Sequence, residues 1–196
     1  MVFQKIDIAN YILARLEEPV SPMKLQKLLY YCYAWQLVAG EHLFDARFKA
    51  WKFGPVDIDI YHEFKSFGAH SIPKPPVVGI PNLPLINLVV DSYGIFSAAE
   101  LSKTTHAEDP WKKYLHTNNY ISDEVMIQFY SKQPFRNNFP IGSQDGFYPP
   151  KMASHYMFTF DMEDEDIPQF DSIEEYVMEL QGSNDDLTQF VSEQTS

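Results

Sequence analysis

The stretch SPMKLQKLLYYCYAWQLVAG, residues 21–40, is the most informative part of the sequence for the architecture. Ser21 is a typical N-cap, Pro22 suits the first helical position, and Gly40 is a typical helix stop. The second half of the stretch contains one clearly polar residue, Gln36. Because a helix that is apolar on nearly every face must be surrounded by protein, we expect this helix at the centre of the fold.

Shorter helices are predicted on both sides of the central one. Residues 4–16 place apolar side chains on one helical face. Ser97 and Glu100 have the spacing of a capping box, which predicts a helix from there to about His106. Further helices are predicted over residues 57–67, over 85–93, from Asp109 onward and over 122–132, and an irregular proline-rich crossing is predicted over 69–84.

The segment after the central helix has a different character. Residues 42–56, HLFDARFKAWKFGPV, are rich in aromatic side chains and end in Gly-Pro-Val. This composition predicts two short extended pieces or a small hairpin that wraps the central helix. The expected fold class is therefore mainly α with a minor β component, a multi-helix domain around a buried central helix.

Charge divides the chain near residue 134. Residues 1–134 hold 13 Lys and Arg against 14 Asp and Glu, whereas residues 135–196 hold 2 against 13. We expect a helical domain over 1–134 and an acidic extension over 135–196. Within the extension, HYMFTF predicts a strand, residues 172–180 a short helix, and residues 183–196 a frayed end.

Composition excludes several classes of protein. Hydrophobic residues make up 45% of the 196 residues, which excludes a disordered chain, and no apolar run reaches the roughly 18 residues of a membrane helix. The N-terminus lacks a signal-peptide pattern and Cys32 is the single cysteine, so we expect a soluble cytoplasmic protein. The net charge of −12 disfavours nucleic acid and anionic membranes and favours a basic partner. The alternative is that the acidic run only keeps the chain soluble.

The sequence contains one candidate catalytic cluster. Thr105-His106-Ala-Glu108-Asp109 brings an imidazole and two carboxylates to a helix junction, where they could form an acid–base pair or a metal ligand set. The structural interpretation is favoured: Asp109 caps the next helix, and His106 complements the end of the preceding one by its charge. Cys32 is expected to be inert core, and the histidines lack paired ligand spacing, so neither a metal nor a cofactor is predicted.

The segment Trp51-Lys-Phe-Gly-Pro-Val-Asp57 is the second candidate site. The Gly-Pro pair sets a fixed bend that could display Trp51 and Phe53 on the surface, where protein interfaces favour aromatic residues. Alternatively, these rings cap the core around the central helix. The sequence favours the two interpretations equally.

Several of these motifs occur together in one known family. SPMKLQKLLYYCYAWQ at residues 21–36, AWKFGPV at 50–56, YHEFK at 61–65, and LSKTTHAEDPW at 101–111 together resemble the Panacea domain, also called SocA-like or GepA-like. The resemblance covers residues 1 to about 132. It implies an antitoxin from a toxin–antitoxin operon or prophage that neutralises a toxin by direct contact, without enzymatic activity. SocA-type members can also deliver the toxin to a protease.

These considerations predict a non-enzymatic, cytoplasmic antitoxin that contacts a cognate toxin, itself expected to be basic. Three alternatives are open: a proteolytic adaptor, a phage-borne counter-defence binder, and a small hydrolase that uses His106 with Glu108 or Asp109. The residues predicted to bind the partner are Trp51, Phe53, Pro55, Tyr61, Asp161, Glu163, Asp164, Glu165 and Asp166.

Overall fold

Seven α-helices and one two-stranded antiparallel hairpin make up the described part of the chain. The structure is a computed structural model that describes residues 2–75, 79–142 and 146–152. The elements are α1 Lys5–Arg15, α2 Pro22–Ala39, β1 Phe48–Trp51, β2 Gly54–Asp57, α3 Ile58–Phe64, α4 Pro84–Tyr93, α5 Ala98–Ala107, α6 Asp109–Tyr114 and α7 Asp123–Tyr130. Short 3-10 turns follow α3 at Lys65–Phe67 and α7 at Pro134–Asn138. The predicted mainly α fold with a small β insertion is confirmed.

Helix α2 is the central element, as its apolar character predicts. The Ser21 hydroxyl accepts a hydrogen bond from the Lys24 amide at 3.3 Å, Pro22 occupies the first turn, and Gly40 ends the helix with φ of 71°. Four helices (α1, α4, α5 and α7) and strand β2 pack around α2. Its residues from Lys24 to Gln36 are all buried, so no face of this segment is left to solvent.

Polar side chains of α2 hold the hairpin in place. The Gln26 amide both donates to the carbonyl of Asp57 at 3.1 Å and accepts from its backbone N–H at 2.9 Å. The Gln36 side chain bonds the loop between α2 and β1. It accepts from the Leu43 amide at 3.0 Å and donates to the Phe44 carbonyl at 2.7 Å. Because buried backbone groups need partners, Gln26 fixes the end of β2 and Gln36 fixes the segment between α2 and the hairpin.

Asp57 links the hairpin to α1 and α3. One carboxylate oxygen accepts from the Ile60 amide at 3.2 Å and so caps α3, while the other accepts from Lys5 of α1 at 2.9 Å. The helix predicted over residues 57–67 is therefore α3 with Asp57 as its N-cap, followed by the 3-10 turn. The capping box at Ser97 and Glu100 is also confirmed.

Residues beyond α7 continue to pack on the helical domain. Phe135 and Met152 belong to the hydrophobic core, and the Asn138 side chain bonds both backbone groups of Tyr148, at 2.6 and 2.9 Å. The domain boundary near residue 134 stays a prediction. The predicted strand at 155–160, the helix at 172–180, the frayed end at 183–196 and the acidic run at 161–166 lie outside the described residues. No helix among the described residues combines the length and apolar character of a membrane span.

Candidate functional site

A shallow cleft opens where the hairpin turn meets the start of α2 and α3. Trp51 and Tyr61 are both half-buried, and their rings meet edge to face with centroids 5.1 Å apart. The cleft has a volume of about 30 Å³, which is room for a water molecule or the tip of a side chain. Other residues that line it include Met23, Gln26, Lys27, Phe53 and Val56.

The predicted partner-binding residues of the hairpin are not equally accessible. Trp51 and Tyr61 reach the surface, whereas Phe53 is 4% exposed and forms part of the cleft lining. Pro55 is buried in β2, and its carbonyl accepts a hydrogen bond from α2. A partner at this surface would therefore contact mainly Trp51 and Tyr61, with Phe53 beneath them. The prediction that Phe53 is displayed on the surface is therefore wrong, because its ring is buried, whereas the binding role of the half-buried Trp51 stays a prediction.

Lys27 lies beneath the cleft and is 1% exposed. Its ammonium group donates to the carbonyl of Pro55 at 3.1 Å, and no carboxylate in the described part of the chain lies within ion-pair distance of it. Burial therefore lowers the pKa of Lys27 to about 7. Gly54 passes directly over this side chain with φ of 104°, and a Cβ there would lie 2.6 Å from Lys27 Cε.

His106 and Trp111 attach the hairpin to the junction between α5 and α6. Their rings stack with centroids 4.1 Å apart, and the Trp111 indole donates to the Trp51 carbonyl at 2.9 Å. His106 also bonds the backbone of Lys52. Burial and the nearby Lys27 ammonium lower the pKa of His106 to about 4, so the imidazole is neutral at pH 7.

Two predictions about this junction are wrong. His106 does not complement the end of α5 by charge, because burial keeps its ring neutral. Asp109 is the first residue of α6 rather than its cap; the N-cap is Glu108, whose side chain makes no capping hydrogen bond. The Glu108 side chain instead points toward α2 and α7. A capping pattern in the sequence does not predict this orientation.

The Glu108 carboxylate is held by two tyrosines of different helices. Tyr31 of α2 donates to one oxygen at 3.2 Å, and Tyr130 of α7 donates to the other at 2.6 Å. Burial raises the pKa of Glu108 to about 8, although both hydrogen bonds oppose this shift. His106 and Glu108 thus have different partners, and no group of three or more potential metal ligands occurs within residues 2–75, 79–142 and 146–152.

The sequence pattern singled out Glu108 but not its partners, and it did not single out Lys27. Lys27 carries no clear signal of burial, because it precedes the apolar run of α2 and follows the polar residue Gln26. The tyrosine partners of Glu108 carry none either, since Tyr31 and Glu108 are 77 residues apart in sequence. The candidate site is thus a hairpin bonded to the central helix α2. The rings of Trp51 and Tyr61 lie at its surface, above the buried Lys27.

Comparison with known proteins relates part of this helical domain to one family. Residues 25–76 match the family described as Antitoxin SocA-like, Panacea domain. Antitoxin SocA of Caulobacter vibrioides (strain NA1000 / CB15N) is 33% identical over 124 residues, which cover 53% of this chain and 66% of that protein. The chain therefore matches just under two thirds of the length of this relative. No solved structure matches. Over residues 25–76, the chain is thus similar to the Antitoxin SocA-like, Panacea domain family.

Proposed function

We propose that this chain is an antitoxin that neutralises a cognate protein toxin by direct protein–protein contact in the cytoplasm. The observation that carries the proposal is the 33% identity with Antitoxin SocA. The matched region, residues 25–76, includes most of α2, the hairpin and α3, which supply most of the lining of the cleft. Binding rather than catalysis is the proposed activity, because the candidate acid–base pair is not assembled: His106 stacks on Trp111, whereas Glu108 is bonded by Tyr31 and Tyr130.

The toxin is expected to contact the cleft through the rings of Trp51 and Tyr61. Half-buried aromatic residues on a rigid support are favoured anchors of protein interfaces, because they bury a large area with little loss of conformational entropy. The support here is rigid, since the Trp51 carbonyl is bonded by Trp111 and β2 is bonded by Gln26 and Lys27. Residues 1–134 would form the toxin-binding domain.

A rescue assay tests the proposed function. The open reading frame beside the gene for this chain is induced in a host strain with and without the chain. We expect growth arrest that the chain reverses, and we expect the two proteins to co-purify. Arrest that the chain does not reverse would contradict the antitoxin function. Rescue that is lost on deletion of residues 183–196, with binding retained, would indicate an adaptor that delivers the toxin to a protease.

Replacing Trp51 by alanine should weaken toxin binding by about tenfold or more, because the substitution removes the larger ring of the proposed interface and leaves the backbone carbonyl bonded to Trp111. Binding is measured with the purified pair by calorimetric titration. The control is Ile95→Ala, which shortens a 77% exposed apolar side chain outside the cleft and should leave the affinity unchanged. Equal affinities for the two variants would exclude the cleft from the interface.

The acidic run is proposed to accelerate the encounter with a basic toxin. Neutralising the run, by amide replacement of Asp161, Glu163, Asp164, Glu165 and Asp166, should slow association by about tenfold at low salt, because charge steering acts over the distance that salt leaves unscreened. The effect should fade at high salt. Stopped-flow association rates check this, and rates that do not change at low salt would remove the extension from the binding mechanism.

A further inference from the structure

The hairpin and the segment around α6 form a basic surface on a chain whose net charge is −12. Residues 46–56 and 110–122 together contain five Lys and Arg and no Asp or Glu. We define these five residues as the basic platform: Arg47, Lys49, Lys52, Lys112 and Lys113. Lys49 is half-buried, and the other four are exposed. The platform therefore presents positive charge to solvent, although the chain as a whole is acidic.

Direct contacts hold the two segments of the platform together. The Arg47 guanidinium lies over the ring of Tyr120, 4.2 Å from its centroid. The Lys49 ammonium donates to the Asn118 side chain at 2.7 Å. The Trp111 indole attaches α6 to the end of β1 through the hydrogen bond described above. Because these contacts join the hairpin to residues on both sides of the turn after α6, the platform is one continuous surface.

The platform is also continuous with the cleft that is proposed to bind the toxin. Exposed or half-buried residues alternate with buried ones from Arg47 to Trp51, so Arg47, Lys49 and Trp51 lie on one side of the hairpin. Lys65 lines the cleft, and no Asp or Glu among the described residues does. A basic toxin would therefore be repelled beside the cleft unless negative charge is added there.

We propose that the acidic run, residues 161–166, docks on the basic platform of the same chain. Five of its six residues carry carboxylates, which oppose the five cations of the platform in sign and equal them in number. Four platform residues form no ion pair with a carboxylate of residues 2–75, 79–142 and 146–152: Arg47, Lys49, Lys112 and Lys113. The docked run would cancel the positive charge beside Trp51 and so remove the repulsion of a basic toxin. Only this consequence rests on the proposed function.

The place where the described chain ends puts the acidic run within reach of the platform. Met152 lines a pocket together with Ala107 and Glu108, which lead directly into α6. Asp161 follows Met152 by nine residues, which can span up to about 30 Å. That length is about twice the radius of gyration of a domain of this size, about 15 Å. A tethered group acts at an effective concentration on the order of 1 mM, so a contact that would be weak between separate molecules is populated within one chain.

Paramagnetic broadening of amide resonances in the full chain tests the contact without the toxin. Met162→Cys keeps all five carboxylates of the run and is labelled with a nitroxide, whereas Cys32 is fully buried and does not react. We expect the resonances of Lys49 and Lys113 to be lost, while that of Asp91, an exposed residue of α4, keeps its intensity. At about 1 M salt, where the Debye length is about 3 Å, the lost resonances should return. Equal intensities at all three residues, or losses that persist at this salt concentration, would overturn the proposal.

Two charge reversals locate the contact at the platform. Lys113→Glu should weaken the contact by about fivefold, because a like charge then faces the run, and the Lys49 resonance should recover. Lys74→Glu makes the same change at an exposed position outside the platform and should leave the Lys49 resonance broadened. A Lys49 resonance that responds equally to the two variants would refute the docking site.

A mixed sample separates docking within one chain from docking between two copies. Chains that carry the nitroxide but no isotope label are mixed with isotope-labelled chains that lack the nitroxide. We expect the Lys49 resonance to keep its intensity in this mixture. Its loss would identify a second copy as the occupant of the platform and overturn the proposal. A failed rescue assay with a positive docking result would count against the antitoxin function alone, because these samples contain no toxin.

Discussion

Replacing Gly54 by alanine is expected to destabilise the fold by at least about 3 kcal/mol. With φ of 104°, the backbone there adopts a conformation that L-residues other than glycine rarely occupy. The new Cβ would also lie 2.6 Å from Lys27 Cε and 2.8 Å from Thr105 Oγ1. Lys27 is 1% exposed and its ammonium group is bonded to the Pro55 carbonyl, so moving the side chain aside would break that hydrogen bond. Urea denaturation at pH 7 measures the change in the free energy of unfolding.

The matched control for this substitution is Gly40→Ala. Gly40 also has a positive φ, 71°, but no atom lies within 4 Å of the position its Cβ would take. Alanine there should cost about 1 kcal/mol, because only the backbone conformation is disfavoured. Comparable losses of unfolding free energy at the two glycines would show that Gly54 is not in close contact with Lys27. If the contact is close, Gly54→Ala should also lose rescue activity, since the same turn positions Trp51.

Replacing Glu108 by glutamine is expected to change how stability depends on pH. The pKa of Glu108 is raised from 4.5 to about 8, so the folded protein binds this proton more tightly than the unfolded chain does. The contribution of the protonated carboxyl to stability is therefore greatest below pH 4.5 and is lost as pH rises toward 8. Glutamine does not titrate. The stability of Glu108→Gln relative to wild type should thus rise by about 3 kcal/mol between pH 5 and pH 8.

Comparing variant with wild type at each pH isolates the Glu108 contribution. Lys27 and His106 also titrate with lowered pKa values, and both favour the folded state less as pH falls. They are present in both proteins, so their contributions cancel in the difference. Glu63→Gln reports the effect of the same chemical change at an exposed position of α3. A difference between Glu108→Gln and wild type that stays constant with pH would show that the carboxylate is not enclosed.

Local signals in the sequence predicted the framework well. The N-cap, the proline of the first turn and the glycine stop of α2 act within a few residues, and the apolar run between them indicates burial without reference to any partner. The hairpin and the capping box at Ser97 are local features in the same sense. Gln36 stood out as the one clearly polar residue of its stretch, and the structure uses it to bind the segment that follows.

The chemistry of the helix junction could not be predicted, because it depends on contacts between distant segments. His106 and Glu108 are two residues apart, yet one stacks on Trp111 and the other is bound by tyrosines of α2 and α7. Their pKa values move in opposite directions, to about 4 and about 8, because burial disfavours the charged form of each. A sequence cluster of titratable residues therefore does not establish that the side chains meet.

The most direct test of the antitoxin function is a titration of the purified toxin from the neighbouring open reading frame with the purified chain, in the absence of any third protein. The activity of the toxin is followed as the chain is added. Neutralisation by direct contact predicts that activity falls in proportion to the chain added and vanishes at a fixed molar ratio, with Trp51→Ala requiring more protein to reach the same point. A toxin that stays fully active in excess chain would contradict this mechanism.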